Sequence, residues 1–226
     1  VRPAPFSIRR PYQALGDEAV ADVSPLYIFP AIWKNPWGTD RRAIMSMGVD
    51  PEKNQFDTPG FAEGLPLLRQ QDAVLFDAAS RPEFGDMRGR FDADGVITTE
   101  VNNRTVKVVG LLEIGPSFGI DGTVMTSIDN WLRLFPDRPR DEIQLGLIRL
   151  HPGTDPVVAR DRLRTELPRD VLVLTKQDFV NRERSYWNHA TPIGFVFAFG
   201  AIMGLVVGAI IVYQILFADV SEHLNE

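Results

Sequence analysis

Ile193-Gly-Phe-Val-Phe-Ala-Phe-Gly-Ala-Ile-Met-Gly-Leu-Val-Val-Gly-Ala-Ile-Ile-Val-Tyr-Gln-Ile-Leu-Phe217 is an uncharged apolar run near the C-terminal end of the sequence. As a helix, a run of about 25 residues spans roughly 37 Å. A bilayer core is about 30 Å thick, so the run is long enough to cross it with some tilt. Nothing before it resembles a membrane segment. The sequence therefore divides into about 190 water-soluble residues and one membrane helix.

Within the run, Gly200, Gly204 and Gly208 recur every fourth residue and share one helix face, with Gly194 slightly off it. That spacing lets a neighbouring helix approach closely inside a membrane, so these glycines are candidate packing positions. Gln214 is the strongly polar side chain of the run. It is placed to hydrogen-bond across a helix interface or to reach the headgroups. Tyr186, Trp187 and Tyr213 mark the two water interfaces as an aromatic belt does. His189, beside Tyr186 and Trp187, fits the same interfacial role. Immediately upstream, residues 176–188 are charged and read as a helical stalk running into the span.

The soluble part reads as α+β, with many strands and few helices. Residues 20–32 read as a strand broken by Pro25 and Pro30, and residues 43–49 as a second strand. Residues 59–71 read as a weak helix interrupted by Pro66, and residues 73–78 as a short apolar strand. Residues 95–101 and 104–113 form a hairpin-like pair about Asn102-Asn103. A turn-rich stretch, 115–122, leads to a strand at 123–126 and a helix at 128–135. Residues 141–150 read as a strand. Asp155 and Pro156 open a helix with Ala159, Leu163 and Leu167 on one face before Pro168 stops it. Residues 171–174, Val-Leu-Val-Leu, then read as a strand, so 141–174 is a strand–helix–strand unit.

Composition excludes several classes. A formal net charge of −6 argues against a nucleic-acid partner. The sequence contains 0 Cys, which rules out disulfides and thiolate metal sites. It begins at Val1, and the first ten residues hold Arg2, Arg9 and Arg10 without an apolar core. If the soluble part lies outside the cytoplasm, an export signal or an earlier membrane helix is expected to precede it. Arg182 and Arg184 precede the apolar run while Asp219, Glu222 and Glu226 follow it; that bias favours a cytoplasmic N-terminal side, but long translocated domains escape it.

Gly115-Pro116-Ser117-Phe118-Gly119 matches the serine nucleophile elbow, with His151 or His189 as the available base. The helix that must follow the serine is missing, however, and Pro116 removes a backbone donor at the tight turn. A Gly/Pro loop is the better reading. Asp92-Ala-Asp94-Gly95 resembles the opening of a calcium loop but lacks its later ligands, so it reads as a surface turn. Asn103-Arg104-Thr105 is a chance-length glycosylation sequon. His151, His189 and His223 have no partner at metal-ligand spacing. No phosphate-binding Gly-rich loop with Lys and Ser/Thr occurs, so any ATP-driven work draws on another polypeptide. No catalytic, cofactor or metal residue is expected in this chain.

Tyr186-Trp-Asn-His-Ala-Thr-Pro-Ile-Gly-Phe, Phe199-Gly-Ala-Ile-Met-Gly, Val207-Gly and Val212-Tyr-Gln-Ile-Leu-Phe-Ala-Asp-Val-Ser-Glu-His-Leu together resemble the second membrane helix of DevC-type permeases. Those belong to the MacB/FtsX-like, mechanotransmission class of ABC transporter permeases. Glu113-Ile-Gly-Pro-Ser-Phe-Gly-Ile-Asp-Gly resembles the same subfamily. The resemblance implies a MacB-like periplasmic core domain of porter and sabre parts between the first and second membrane helices. By that analogy, residues 1–72 and 141–176 form the porter part, 73–140 the β-rich sabre insertion, 177–192 the stalk, 193–217 the membrane helix and 218–226 the start of a cytoplasmic segment. It further implies an inner-membrane, multi-pass permease that dimerises with a second copy. A separate cytoplasmic ABC ATPase would bind and use the ATP. A periplasmic adaptor (membrane fusion protein) and an outer-membrane channel would serve export, of glycolipid in the DevC relatives. Two other readings remain open on the residues alone: a membrane-anchored periplasmic sensor or regulatory domain of FtsX-like type, and a tethered serine hydrolase.

Overall fold

The computed structural model describes residues 4–117, 119–189 and 193–223, with side chains omitted for 187–189, 193–195 and 218–223. Its contacts divide the chain after Val173 into two units.

The first unit carries the strands. β1 (Phe6–Ser7) and α1 (Arg9–Gln13) lead through a 3-10 turn (Ala14–Gly16) into β2 (Val20–Lys34) and β3 (Arg41–Val49). α2 (Phe61–Gly64) and a second 3-10 turn (Leu65–Arg69) precede β4 (Ala73–Asp77). A third 3-10 turn (Pro82–Phe84) and α3 (Met87–Asp94) precede β5 (Ile97–Val101) and β6 (Arg104–Leu112). β7 (Thr123–Ser127), α4 (Ile128–Leu134), β8 (Glu142–Ile143), β9 (Leu145–Leu150) and α5 (Pro156–Glu166) complete it.

Seven of these strands form one sheet in the order β3-β7-β4-β6-β5-β2-β9, and β2 also pairs with β3. The second pairing closes the sheet into a ring of β2, β3, β7, β4, β6 and β5, with β9 standing outside as an extension. The β3–β7 and β4–β6 pairs are parallel and the others antiparallel. One apolar cluster gathers Trp33, Ile44, Phe76, Phe84, Val101 and Val108, and a second gathers Leu26, Phe61, Leu68, Leu75 and Met125. A third joins Ala14, Val20, Val23, Leu163 and Leu167, holding α5 to the β2–β9 arm.

β2 is the organising strand, and it corrects the expectation that Pro25 and Pro30 interrupt it: all 15 residues are strand. Proline cannot donate to a ladder, so each must stand where its nitrogen faces no partner. Residues alternate in the side to which their backbone groups point. Pro25 is directed to the β3 side, where pairing begins only at Tyr27. Pro30 is directed to the other side, in the gap between β9, which pairs up to Leu26, and β5, which pairs from Trp33. The gap is bridged by side-chain amides. Ile28 N–H donates to Gln144 Oε1 at 2.9 Å and Ile32 N–H to Asn102 Oδ1 at 2.8 Å.

That use of Gln144 also explains why the strand expected at 141–150 is split. Its buried side chain turns in to β2, so β8 pairs with β1 while β9 pairs with β2. Three other expectations shift. Residues 171–174 are not a strand, so 141–174 is a strand–helix pair with an irregular tail. The helix expected at 59–71 becomes α2 followed by a 3-10 turn with Pro66 in its first turn. α3 appears where no helix was expected; Asp86 caps it, accepting from Gly89 N–H at 3.1 Å. Its apolar signal is faint because it buries little besides Met87 and half-buries Phe91.

The second unit is α6 (Lys176–His189) and α7 (Ile193–His223). A reciprocal cap starts α6: Asp178 N–H donates to Thr175 Oγ1, and Thr175 N–H to Asp178 Oδ2, each at 3.1 Å.

Candidate functional site: a glycine-faced apolar helix

α7 runs for 31 residues, and 22 of them, Val196–Phe217, have a mean hydropathy of 2.5 and are exposed rather than buried. At about 1.5 Å per residue those 22 residues cover ~33 Å, close to a bilayer core. Among the described residues this is the one helix long and apolar enough to cross a membrane. Its apolar side chains are spread around the whole circumference, as a helix solvated by lipid requires. Phe197, Leu205, Ile211, Ile215 and Phe217 are all exposed.

The four-residue glycine spacing becomes geometry here. A methyl group placed on Gly200, Gly204 or Gly208 would meet nothing within 4 Å. Gly204 and Gly208 form the floor of a shallow apolar groove walled by Leu205, Ala209, Val212, Tyr213 and Leu216. Gly200 lies on the flank, one turn above. Tyr213 stacks on Phe217 with ring centroids 6.1 Å apart, which fixes one wall of the groove. Gln214, by contrast, does not line the groove; at ~100° per residue it stands about 80–120° around the helix from Gly204 and Gly208. The predicted positions thus separate: Gly204, Gly208 and Tyr213 come together, and Gln214 does not join them. Tyr186 lies on α6, partly exposed. Trp187 is also on α6, but its side chain lies outside the described residues, as does that of His189.

The first unit offers no reaction centre at the motifs that invited one. Ser117 N–H donates to Ile120 O at 2.8 Å in a tight loop, and β7 rather than a helix follows it. Phe118 of that motif lies outside the described residues. Asp92 and Asp94 form the last turn of α3, with Gly95 closing it at φ +74°, so they are not the start of a cation loop. Among the described residues no group of three or more His, Asp or Glu side chains converges on one point.

Sequence reading missed the carboxylates that organise this unit. Asp77, fully buried, accepts from the N–H groups of Ala79, Ile114 and Gly115 at 2.9–3.1 Å, tying the loops after β4 and β6 together. Lys53 holds the Asp22 carboxyl below the usual range against the opposing effect of burial, helped by Val23 N–H and Arg149. Burial pushes Asp17 upward, but Ala19 N–H and the Arg162 guanidinium outweigh it and leave its pKa lowered. Asp17 and Arg162 join the start of β2 to α5 through two hydrogen bonds of 2.6 and 2.7 Å. Nothing in the local sequence marks Asp17 or Asp77, because their partners stand up to 145 residues away.

No protein family defined by sequence matches this chain, and no characterised protein is detectably similar to it in sequence. Solved structures are similar in fold. The periplasmic region of MacB from Actinobacillus actinomycetemcomitans superposes with a TM-score of 0.52 at 12% identity, over 71% of this chain and 72% of that one. The fold is that of a MacB-like periplasmic domain. The extracellular domain of YknZ, a noncanonic ABC-type transporter from Gram-positive bacteria, has a TM-score of 0.51 at 12% identity, over 76% of this chain and 91% of its own. The MacB-like domain here is thus an α+β ring of strands with a β9–α5 arm, followed in sequence by an apolar helix.

Proposed function

We propose that this chain is part of an ABC transporter permease of the MacB/FtsX-like class, contributing its extracytoplasmic domain and its second membrane helix. The observation that carries this reading is the order of parts: a MacB-like domain, then a capped charged helix, then an apolar helix with a glycine-floored groove. The chain holds no nucleotide-binding sequence, so a cytoplasmic ABC ATPase supplies the energy. The permease works by transmission, passing the ATPase's movement through the membrane helices to the domain outside.

In this reading the protein sits in the inner (plasma) membrane, multi-pass, as a homodimer, with its domain in the periplasm. Residues 1–72 and 141–176 make the porter part, and 73–140 the sabre part. A membrane fusion adaptor and an outer-membrane channel complete an export path, and the cargo is a glycolipid. The chain itself is not an enzyme.

The test is purification of the tagged protein from its native membrane, followed by ATPase assay of the complex and of the chain alone. An ABC ATPase should co-purify and the complex should hydrolyse ATP, while the chain alone should not. Turnover by the isolated chain, or a complex without an ATPase, overturns the reading. Cargo is tested separately, by loss of glycolipid from the outer envelope when the protein is depleted.

A further inference from the structure

β9 is the terminal strand of the sheet, and among the described residues it pairs only with β2. Its register defines what the other edge presents. Pro25 stands opposite Gly146, and proline cannot take part in a hydrogen-bonded pair. The flanking pairs, Ser24 with Leu147 and Leu26 with Leu145, therefore carry the ladder bonds. Gly146 and Ile148 then direct their N–H and C=O groups to the open edge. An open edge of this kind is a template for a further strand.

Residues 171–173 are suited to be that strand. They are apolar and mostly β-branched, the composition of a buried strand. They follow α5, and a strand–helix–strand unit returns its second strand parallel to the first, by a right-handed crossover. Their side chains already alternate. Val171 and Val173 pack with Ile148 and Leu150 against Leu163 and Leu167, while Leu172 is 58% exposed. Only the backbone pairing is missing.

Two contacts set where the segment now lies. Arg10 holds its start, donating from Nε and Nη2 to Asp170 Oδ2 at 2.9 and 2.8 Å. Arg164 of α5 donates from Nε to the carbonyl of Val173 at 2.9 Å, engaging a group that a strand would use for pairing. Thr175 then begins the cap of α6 two residues later.

We propose that residues 171–173 are a strap with two positions: held by Arg164 as seen here, and paired in parallel on the open edge of β9. In the paired position Val171 aligns with Ile148 and Val173 with Leu150, which sets Leu172 beside Arg149 on the opposite face. The strap is the covalent lead into α6, so a pull or push on that helix changes the balance between the positions. That consequence rests on the transmission role proposed above; the pairing itself rests on the domain alone.

The chain has 0 Cys, so engineered pairs report without background. The experiment compares, in the full chain in lipid nanodiscs under mild oxidant, R149C/L172C with L150C/L172C, whose side chains would face opposite sides of the paired edge. Neighbouring strands bring same-face Cα atoms within disulfide range, about 4.4–6.8 Å. The expected result is an intramolecular disulfide in R149C/L172C forming at least about ten times faster than in L150C/L172C. Adding Arg164→Met should raise the faster rate about five-fold, the worth of one hydrogen bond. Equal rates for the two pairs would mean random collision of a loose segment and overturn the proposal. No disulfide, or only disulfides between chains, would overturn it too, the latter showing that a second copy covers the edge. None of these readouts involves ATP, so the proposal can fail while the transporter reading stands.

Discussion

The packed glycines of the first unit and the glycines of α7 are opposites. Apart from Gly16, Gly95 and Gly153, which are open, those of the first unit have near neighbours: a methyl group on Gly48 would lie 2.8 Å from the Trp131 side chain, on Gly64 2.6 Å from Leu75, and on Gly60 2.1 Å from the carbonyl oxygen of Leu111. In α7 the same methyl group on Gly200, Gly204 or Gly208 would meet nothing. The first set is small because its partners are already in place. The second set meets no partner among the described residues. One unit is packed against itself, while α7 leaves its glycine positions open.

The comparison breaks most severely at Trp131. It is 1% exposed, packs against Gly48, Tyr27 and Phe135, and donates from Nε1 to Ser46 Oγ at 3.1 Å. Trp131→Ala removes that volume and leaves a cavity, at a cost of about 3–5 kcal/mol. Gly60→Ala is expected to cost somewhat less, about 3 kcal/mol, because φ +78° and the Leu111 oxygen both oppose a side chain. Urea unfolding of the full chain in detergent, followed by circular dichroism, measures both. A loss under 1 kcal/mol for either would show that the first unit is not close-packed as described.

A smaller effect is expected from charge. The Asp22 carboxyl has its pKa lowered in the fold by Lys53 first, with Val23 N–H and Arg149 adding to it and burial opposing. Because the folded value lies below the unfolded one, the stabilisation is fully present above the unfolded value of 3.8 and is lost as pH falls through the lowered value. Asp22→Asn should therefore lower stability by about 1–2 kcal/mol at neutral pH. The difference from wild type should shrink as pH falls below 3.8. Urea midpoints across that range test the sign; a variant gap that widens on acidification would refute it.

What the sequence made legible follows from the range of the interactions involved. The apolar run, the Asp155 cap and β3 through β7 declared themselves by local pattern and hold within a residue or two. The split at Gln144 did not, because its cause is a side-chain hydrogen bond to Ile28, 116 residues away. β2 was misread as broken because Pro25 and Pro30 are penalised only where a neighbouring strand needs their nitrogen, and neighbours are a property of the sheet. The strand expected at 171–174 has the right composition, yet Arg164 engages its backbone. At the candidate site, the glycine spacing was visible in sequence, while the separation of Gln214 from the groove emerged only from helix geometry.

The smallest effect on the fold, and the sharpest on the comparison, lies in α7. Gly204→Leu and Gly208→Leu should leave the urea midpoint of the first unit unchanged within about 0.5 kcal/mol, since exposed sites far from special contacts change stability little. Leucine is also a better helix former than glycine, so α7 itself should persist. What the substitutions remove is the floor of the groove, and with it the close approach of another helix. Association of α7 with its partner helices, read by fluorescence transfer in bilayers, should fall most for Gly204→Leu and Gly208→Leu. Gly200→Leu, on the flank, should cost less, and Gln214→Leu, off the groove, least of all. That ranking separates a packed groove from a merely apolar helix, because lipid contact alone would make the four substitutions equivalent. If Gln214→Leu proved the most damaging, the interface would be centred away from Gly204 and Gly208, and those glycines would be ordinary residues of a lipid-facing helix.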